Sequence, residues 1–411
     1  MSEAERKLRE IAHNFPAAKD ETSGIAVSGG SDSMAMLHLL AATGRGFEAV
    51  TVDHGLRPEA ADEVRFVAGV CAELKISHTV LTWDHGEITG NLQDRARRAR
   101  YGLMQAWALA RGLRFVSLAH TLDDQAETFL MRVGRGAGID GLLSMEGLRE
   151  DRGVTWVRPF LTARRRALRE YLNARRLAWI DDPSNEDERF ERVRIRKAMV
   201  GLEAAGVSPE SIWEVINNLF GVWTDLQLRG KQLFEEVGAE DRGQLVFQRS
   251  GLRSVHAPEV CRRTFIKALM WVSGAEYPPR AEAVLKLSLA IRNGDSHTVA
   301  GCLVSVGSDE IRFCREFNAV KDLVSATDAL WDGRWKLDGP HAPDLEVRAL
   351  GEAVKDCPDW RQTSMPRASL LASPAVWNGS ELVAAPLAGL SNGWTAGATG
   401  RGKFADFLLN R

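Results

Sequence analysis

The chain has 411 residues, 45% of them hydrophobic and 26% charged, and its 53 basic and 55 acidic residues leave a net charge of −2. That is the usage of a globular protein of two or three domains, and it excludes a disordered, collagen-like or low-complexity chain. A near-neutral balance also excludes a polycation that coats nucleic acid over its whole surface, so any nucleic-acid contact has to come from a local patch.

In chain order, residues 24–28 (GIAVS), 47–53 (FEAVTVD), 76–82 (ISHTVLT) and 113–119 (LRFVSLA) are apolar runs of strand length. The segments between them, 31–42, 60–74 and 91–111, carry apolar residues at helical spacing, and this alternation predicts a doubly wound parallel sheet, an α/β fold of the Rossmann-like kind. From Thr162 to about Ala205 the pattern is helical and rich in arginine, with a break at DDPSN (181–185). Residues 209–237 read as helix, 244–248 as a strand and 258–292 as further helix, which predicts a mostly helical second domain over 206–320. After Leu323 the chain turns rich in glycine, proline and tryptophan, with short strand-like pieces, and predicts a small α+β domain over 321–411. The first domain is then 1–205. The five cysteines, Cys71, Cys261, Cys302, Cys314 and Cys357, are scattered and never form C-x-x-C, which argues against a disulfide framework or a zinc ribbon. The opening MSEAERKLREIAHNF has no apolar core, and no later run approaches the roughly 18 apolar residues of a membrane span. The expectation is a cytoplasmic protein with no membrane attachment.

The strongest local signal is Ser28-Gly29-Gly30-Ser31-Asp32-Ser33, placed between the first strand and the first helix of the sheet. Two glycines let the backbone approach a ligand, and the serine hydroxyls and the free N–H groups of the helix start converge on one spot that suits a polyphosphate. No G-K-[ST] follows, so the lysine of a kinase-type loop is missing. A carboxylate among phosphates is repulsive unless a metal joins them, so Asp32 points to Mg²⁺ shared with that polyphosphate. The plainer reading of Asp32 is an acid that complements the helix dipole. SGGSDS in this position resembles the PP-loop of the N-type ATP pyrophosphatases, enzymes that split ATP into AMP and pyrophosphate.

A second cluster, H-T-L-D-D-Q-A-E-T, follows the fourth strand. It sets Asp124 and Glu127 on one helix face, with His120 just before the helix. With VDHGLRPEAADEV (52–64), DRARRARYGLM (94–104) and WIDDPSNEDERFERVRIRKAM (179–199), these segments resemble the tRNA(Ile)-lysidine synthetase family over about residues 22–200. The resemblance implies attack of the wobble cytosine O2 of a CAU-anticodon tRNA(Ile) on the α-phosphate of ATP, then attack of free L-lysine on C2 with loss of AMP. It implies no protein partner. It carries Asp124 to the lysine ammonium, His120 to metal or substrate, Arg100 to the α-phosphate or adenylate, and Arg192, Arg194 and Arg196 to further phosphate or nucleotide contacts. Two positions depart from the family pattern: Thr121 replaces a common asparagine, and Val193 replaces the asparagine of R-N-R-I-R.

Seven arginines (158, 164, 165, 166, 169, 175 and 176) against the single acid Glu170 give residues 158–180 a local charge of +6, which predicts a footprint for an RNA backbone. The plainer reading is a solvated helix face. Trp331, Trp335, Trp360 and Trp377 are the candidates for stacking on tRNA. His13, His38, His78, His85, His256, His297 and His341 show no ligand spacing and read as structural or surface residues. A tRNA thiolase would want a reactive cysteine pair, an amide-forming synthetase would leave the arginine run unexplained, and an inactive RNA-binding protein would have no need of Asp32, His120 and Asp124 together.

Overall fold

A computed structural model of the chain describes residues 2–55, 60–84, 92–181, 186–254 and 258–410. His85, His256 and most of the DDPSN break lie outside the described residues. The chain divides into two compact units, Met1–Gly221 and Val222–Arg411.

The first unit opens with α1 (Glu3–His13) and then alternates β1 (Ser23–Ala26), α2 (Ser31–Ala41), β2 (Phe47–Asp53), α3 (Ala60–Glu73), β3 (Ser77–Thr82), α4 (Leu92–Ala110), β4 (Phe115–Ser117) and α5 (Leu122–Gly134). There follow α6 (Ile139–Leu142), the hairpin β5 (Leu148–Asp151) and β6 (Val154–Val157), α7 (Arg165–Ala174) and α8 (Glu191–Ala204). The strand order is β3-β2-β1-β4-β6-β5. Every pairing is parallel except β5 with β6, so the sheet is mixed at one edge. The hairpin escaped the sequence reading because LRED and VTWV are short and β5 is largely exposed, leaving little apolar signal. In α2, Met34, Ala35, Met36, Leu37, Leu39 and Leu40 are all buried, so this helix is enclosed rather than amphipathic, which fixes its N-terminus firmly against the sheet. The chain order reverses between β1 and β4, and in such sheets ligands bind outside the carboxyl ends of the strands at that reversal. The Ser28–Ser33 loop follows β1, and His120 follows β4.

The helix α9 (Pro209–Val237) contains the division between the units. In the second unit β7 (Gly238–Asp241), β8 (Gln244–Gln248), β9 (His297–Val299), β10 (Cys302–Val306) and β11 (Glu310–Arg315) form an antiparallel sheet ordered β7-β8-β11-β10-β9. Helices α10 (Arg249–Ser254), α11 (Pro258–Ser273) and α12 (Ala281–Asn293) accompany it. Its core joins Phe234, Phe247, Phe265 and Phe313 to Phe404 and Leu408, so the last helical turn of the chain packs on this sheet. The sequence reading found one strand here, because β7 and β9 are short and mostly polar. A separate core around Trp331, Trp335, Val376 and Trp394 serves two further sheets. These are built from β12 (Ser325–Ala326), β14 (Leu345–Ala349), β15 (Pro374–Asn378) and β16 (Glu381–Ala384), and from β13 (Trp335–Asp338) with β17 (Thr395–Ala398). No helix among the described residues is long and apolar enough to cross a membrane.

Candidate active site

The loop after β1 is built by its glycines and by Ser33. Gly29 has φ +83°, a conformation that residues with a Cβ rarely adopt, so the turn into α2 requires glycine there. Gly30 caps α2 without a side-chain hydrogen bond, leaving the first helical N–H groups free of a side-chain acceptor from the cap. Ser33 Oγ donates to the Gly30 carbonyl at 3.0 Å and accepts from the Ser28 N–H at 3.2 Å, which closes the loop on itself. The Ser28 and Ser33 hydroxyls stand 3.3 Å apart. A loop of this shape, with the positive end of a helix dipole behind it, is chemically suited to phosphate oxygens.

Across the strand reversal, Thr121 caps α5 in a reciprocal box. Its Oγ1 accepts from the Asp124 N–H at 3.3 Å, while Asp124 Oδ2 accepts from the Thr121 N–H at 2.9 Å and its hydroxyl at 2.8 Å. Threonine at this position therefore preserves a cap. The hub of the site is Arg165, the first residue of α7. Its Nε donates to Asp32 at 3.0 Å, its Nη2 to Asp124 at 2.9 Å and its Nη1 to Glu127 at 3.2 Å, and its backbone N–H donates to Asp123 at 2.6 Å. Glu127, only 1% exposed, also accepts from Arg196 Nε at 2.8 Å and lies 3.4 Å from Arg192 Nε.

The titrations follow from this packing. Burial raises the Asp32 pKa and Asp124 adds to the effect, against the opposing pull of Arg165 and Arg169. Burial would raise Asp124 too, but Arg165, His120, Arg192 and the Thr121 N–H outweigh it and hold this carboxylate ionised. For Arg165, burial is overcome by Asp124, Glu127 and Asp32, and its pKa rises. His120 is half-buried with Nδ1 lacking a hydrogen-bond partner, and burial pushes its pKa down to about 3 despite Asp124, with Arg158, Arg100 and Arg97 pushing the same way. It is a neutral imidazole near neutral pH. Arg100 Nε is buried without a partner, and burial, then Arg97 and Arg192, lower the Arg100 pKa against Tyr101.

Of the residues singled out in the sequence, the loop, Asp32, Asp124 and Arg192 meet around Arg165 and Glu127, and His120 and Arg100 join through the field they share with Asp124 and Arg192. Arg194 is exposed and donates to the carbonyls of Glu188 at 2.7 Å and Arg189 at 3.1 Å, at the start of its own helix. Val193 is buried, a core position of α8. The sequence reading counted Arg165 only as one charge in a run, since its carboxylate partners stand up to 133 positions away.

That run needs correction as an RNA footprint. Arg164 pairs with Asp123, Glu203 and Glu210, Arg169 with Asp181, and Arg175 with Glu5. Arg158 is buried and donates to the Glu146 carbonyl at 2.8 Å. Among the described residues, only Arg166, with a 3.7 Å contact to Glu170, and Arg176 remain as exposed cations of the seven not held by acids from elsewhere. Trp331 and Trp335 are core residues and present no face for a base. Trp360 and Trp377 are half-buried, with Arg361 and Arg348 over their rings at 4.5 Å and 4.6 Å. His78 and His341 hydrogen-bond to Thr51 and Thr327 and are structural.

A cavity of about 250 Å³ opens beside Arg165, with Asp123, Glu127 and Glu203 as acids, Arg196 as a base, and Met199 and Pro209 as apolar wall.

The chain matches the PP-loop domain family over residues 1–203. It is 46% identical to the tRNA(Ile)-lysidine synthase of Ruegeria pomeroyi, over 96% of this chain and 95% of that one. It is 36% identical to the tRNA(Ile)-lysidine synthase of Hyphomonas neptunium, over 70% and 79% of the two chains. A third relative of the same name, from Wolbachia sp. subsp. Brugia malayi, is 30% identical over 81% and 80%.

Proposed function

Because the chain belongs to the tRNA(Ile)-lysidine synthase family, we propose that it carries out both steps of lysidine formation on tRNA(Ile) at the carboxyl edge of the first sheet, with ATP bound on Ser28–Ser33 and free L-lysine beside Asp124. The observation that carries this reading is Arg165, whose one guanidinium touches the acid of the phosphate loop and the two acids of the second cluster. Activation by ATP and transfer of an amine then share one site.

In the first step the cytosine O2 of the CAU anticodon attacks the α-phosphorus, the bond to the bridging oxygen breaks, and pyrophosphate leaves. The Ser28–Ser33 cradle holds the phosphates, and Arg100, with no carboxylate partner among the described residues, faces the charge that builds on the α-phosphate. In the second step the lysine ε-nitrogen attacks C2, the C2–O bond breaks, and AMP departs with that oxygen. Free lysine has a side-chain pKa of about 10.4, so exposing its amine near pH 7.4 costs about 4 kcal/mol. Asp124 draws the ammonium in, and the nearby arginine charges of Arg100 and Arg192 favour its loss of a proton. His120, kept neutral, orients substrate by hydrogen bonding rather than by charge.

The residues present fit Mg²⁺. Asp32 Oδ2 is taken by Arg165, but Oδ1 has only a 3.4 Å contact from Ser31, and Asp124 is close enough to disfavour a second uncompensated negative charge. Among the described residues no group of three His, Cys, Asp or Glu could hold a metal ion alone, so the cation would draw most of its ligands from phosphates and water, as Mg²⁺ commonly does. When bound through Asp32 it supplies charge neutralisation of the phosphates. Residues 1–205 carry the chemistry in this reading, and 206–320 and 321–411 contact tRNA, with Trp360 and Trp377 as stacking candidates and Arg194 as a peripheral contact. The protein acts in the cytoplasm and needs no protein partner.

The test is AMP release from ATP by the purified protein, with and without free lysine and with and without CAU-anticodon tRNA(Ile). Dependence on both supports the reading. AMP formed without RNA, or with another amine or a sulfur donor in place of lysine, rejects it.

A further inference from the structure

The arginines near the site are of two kinds. Arg164, Arg165 and Arg169 of α7 and its cap, and Arg192 and Arg196 of α8, are closed by carboxylates. Arg97, Arg100 and Arg158 have no carboxylate partner among the described residues. Arg97 and Arg100 lie over the Tyr101 ring at 5.0 Å and 5.8 Å, Tyr101 packs edge-on against buried Trp156 at 4.9 Å, and Arg158 donates to the Glu146 carbonyl at 2.8 Å. Arg97 and Arg100 thus meet at one ring, and the charge of Arg158 adds to theirs at the Tyr101 phenol and the His120 imidazole, lowering the phenol pKa against burial. Buried polar atoms gather here without partners: Nε of Arg100, Nε of Arg158 and Nδ1 of His120. Three like charges with unsatisfied buried donors cost free energy in the free protein, and an anion would satisfy both the charge and the donors.

We propose that Arg97, Arg100, Tyr101 and Arg158 form a second anion site, which takes a phosphodiester of the RNA next to the target cytidine. This deepens the reading given above and rests on it for the identity of the RNA. The phosphates of ATP already have the Ser28–Ser33 cradle, so of the second donor set only Arg100 is shared with the α-phosphate, and Arg97, Tyr101 and Arg158 are left for the RNA. The second set grades from buried Arg158 through half-buried Arg100 to exposed Arg97, which opens it to a ligand larger than a nucleotide. A phosphate fixed at this point sets the register of the strand and delivers the neighbouring base to the loop.

The test uses the full chain and a CAU-anticodon stem-loop RNA, with affinity read by fluorescence anisotropy across a salt series. Arg97 is exposed, so Arg97→Ala leaves the fold intact. The variant is expected to bind the RNA about 3- to 10-fold more weakly, with the slope of log affinity against log salt reduced by about 1, while Arg97→Lys retains the slope. The KM for ATP stays within about twofold of the parent. Unchanged RNA affinity and slope in Arg97→Ala overturn the proposal, and so does a raised KM for ATP with RNA binding intact, which would give the site to the nucleotide. Binding is read without turnover, so a failure of this site and a failure of lysidine chemistry are seen separately.

Discussion

The arginines of α7 and those of α4 teach opposite lessons about charge. Residues 158–180 carry seven arginines against the single acid Glu170, yet the fold brings Glu5, Asp32, Asp123, Asp124, Glu127, Asp181, Glu203 and Glu210 to four of them. Around Tyr101, by contrast, Arg97 and Arg100 of α4, joined by Arg158 from the start of that run, have no acid among the described residues to meet them. Local charge in a sequence counts chain neighbours. The field a polyanion meets depends on which acids folding delivers, and by that measure the site of RNA attraction lies with Arg97 and Arg100.

The largest expected effect comes from removing an acid of the closed network. Asp32→Ala, which takes away the carboxylate shared between Arg165 and the phosphate loop, should lower pyrophosphate release at least about 100-fold. Normal release would remove Asp32 from the ATP site and leave the network merely structural.

Next is the hub itself. Arg165→Ala strands three partly or fully buried carboxylates, and breaking such a network costs about 3–5 kcal/mol, on the order of 10 °C in the unfolding midpoint of the first unit. Arg165→Lys should fall between the two, since one ammonium cannot reproduce a fork that serves three acids at once. A midpoint unchanged in Arg165→Ala would show that the closed arginines are as solvated as a surface run.

The sequence revealed more of the fold than of the site. The strands at 47–53 and 76–82 and the helices at 31–42, 60–74 and 91–111 appear within a residue or two of their expected ends, because alternation of buried strands with apolar-periodic helices is a local property. The β5–β6 hairpin and four of the five strands of β7–β11 were not legible: β5, β7 and β9 are short and exposed or polar, and β10 and β11 mix polar or charged residues such as Ser305 and Arg312 with their apolar ones. The phosphate loop was readable because its chemistry is contiguous. Arg165, Arg158 and Tyr101 were not, because what makes each of them matter is a partner delivered from a distant element, and no spacing rule spans such separations.

A finer test separates the two steps. Asp124→Ala should slow lysine transfer about 10- to 100-fold while changing adenylation far less, as read by lysine-dependent AMP release against lysine-independent pyrophosphate release. Equal loss in both would reject the lysine-holding role and assign Asp124 to the general integrity of the Arg165 network. The smallest effect belongs to the exposed remnants of the run. Arg166→Ala and Arg176→Ala should each change RNA affinity less than about twofold, because isolated surface charges contribute little. A loss as large as that of Arg97→Ala would restore the run as the RNA face and break the contrast.

The most direct measurement of the central claim is the mass of the wobble nucleoside after CAU-anticodon tRNA(Ile) has been incubated with the protein, ATP, magnesium and lysine, then digested. The account predicts cytidine replaced by a nucleoside heavier by one lysine less one water, in a yield that matches the AMP released. AMP and pyrophosphate formed over an unchanged cytidine, or an adduct of any other mass, would contradict it.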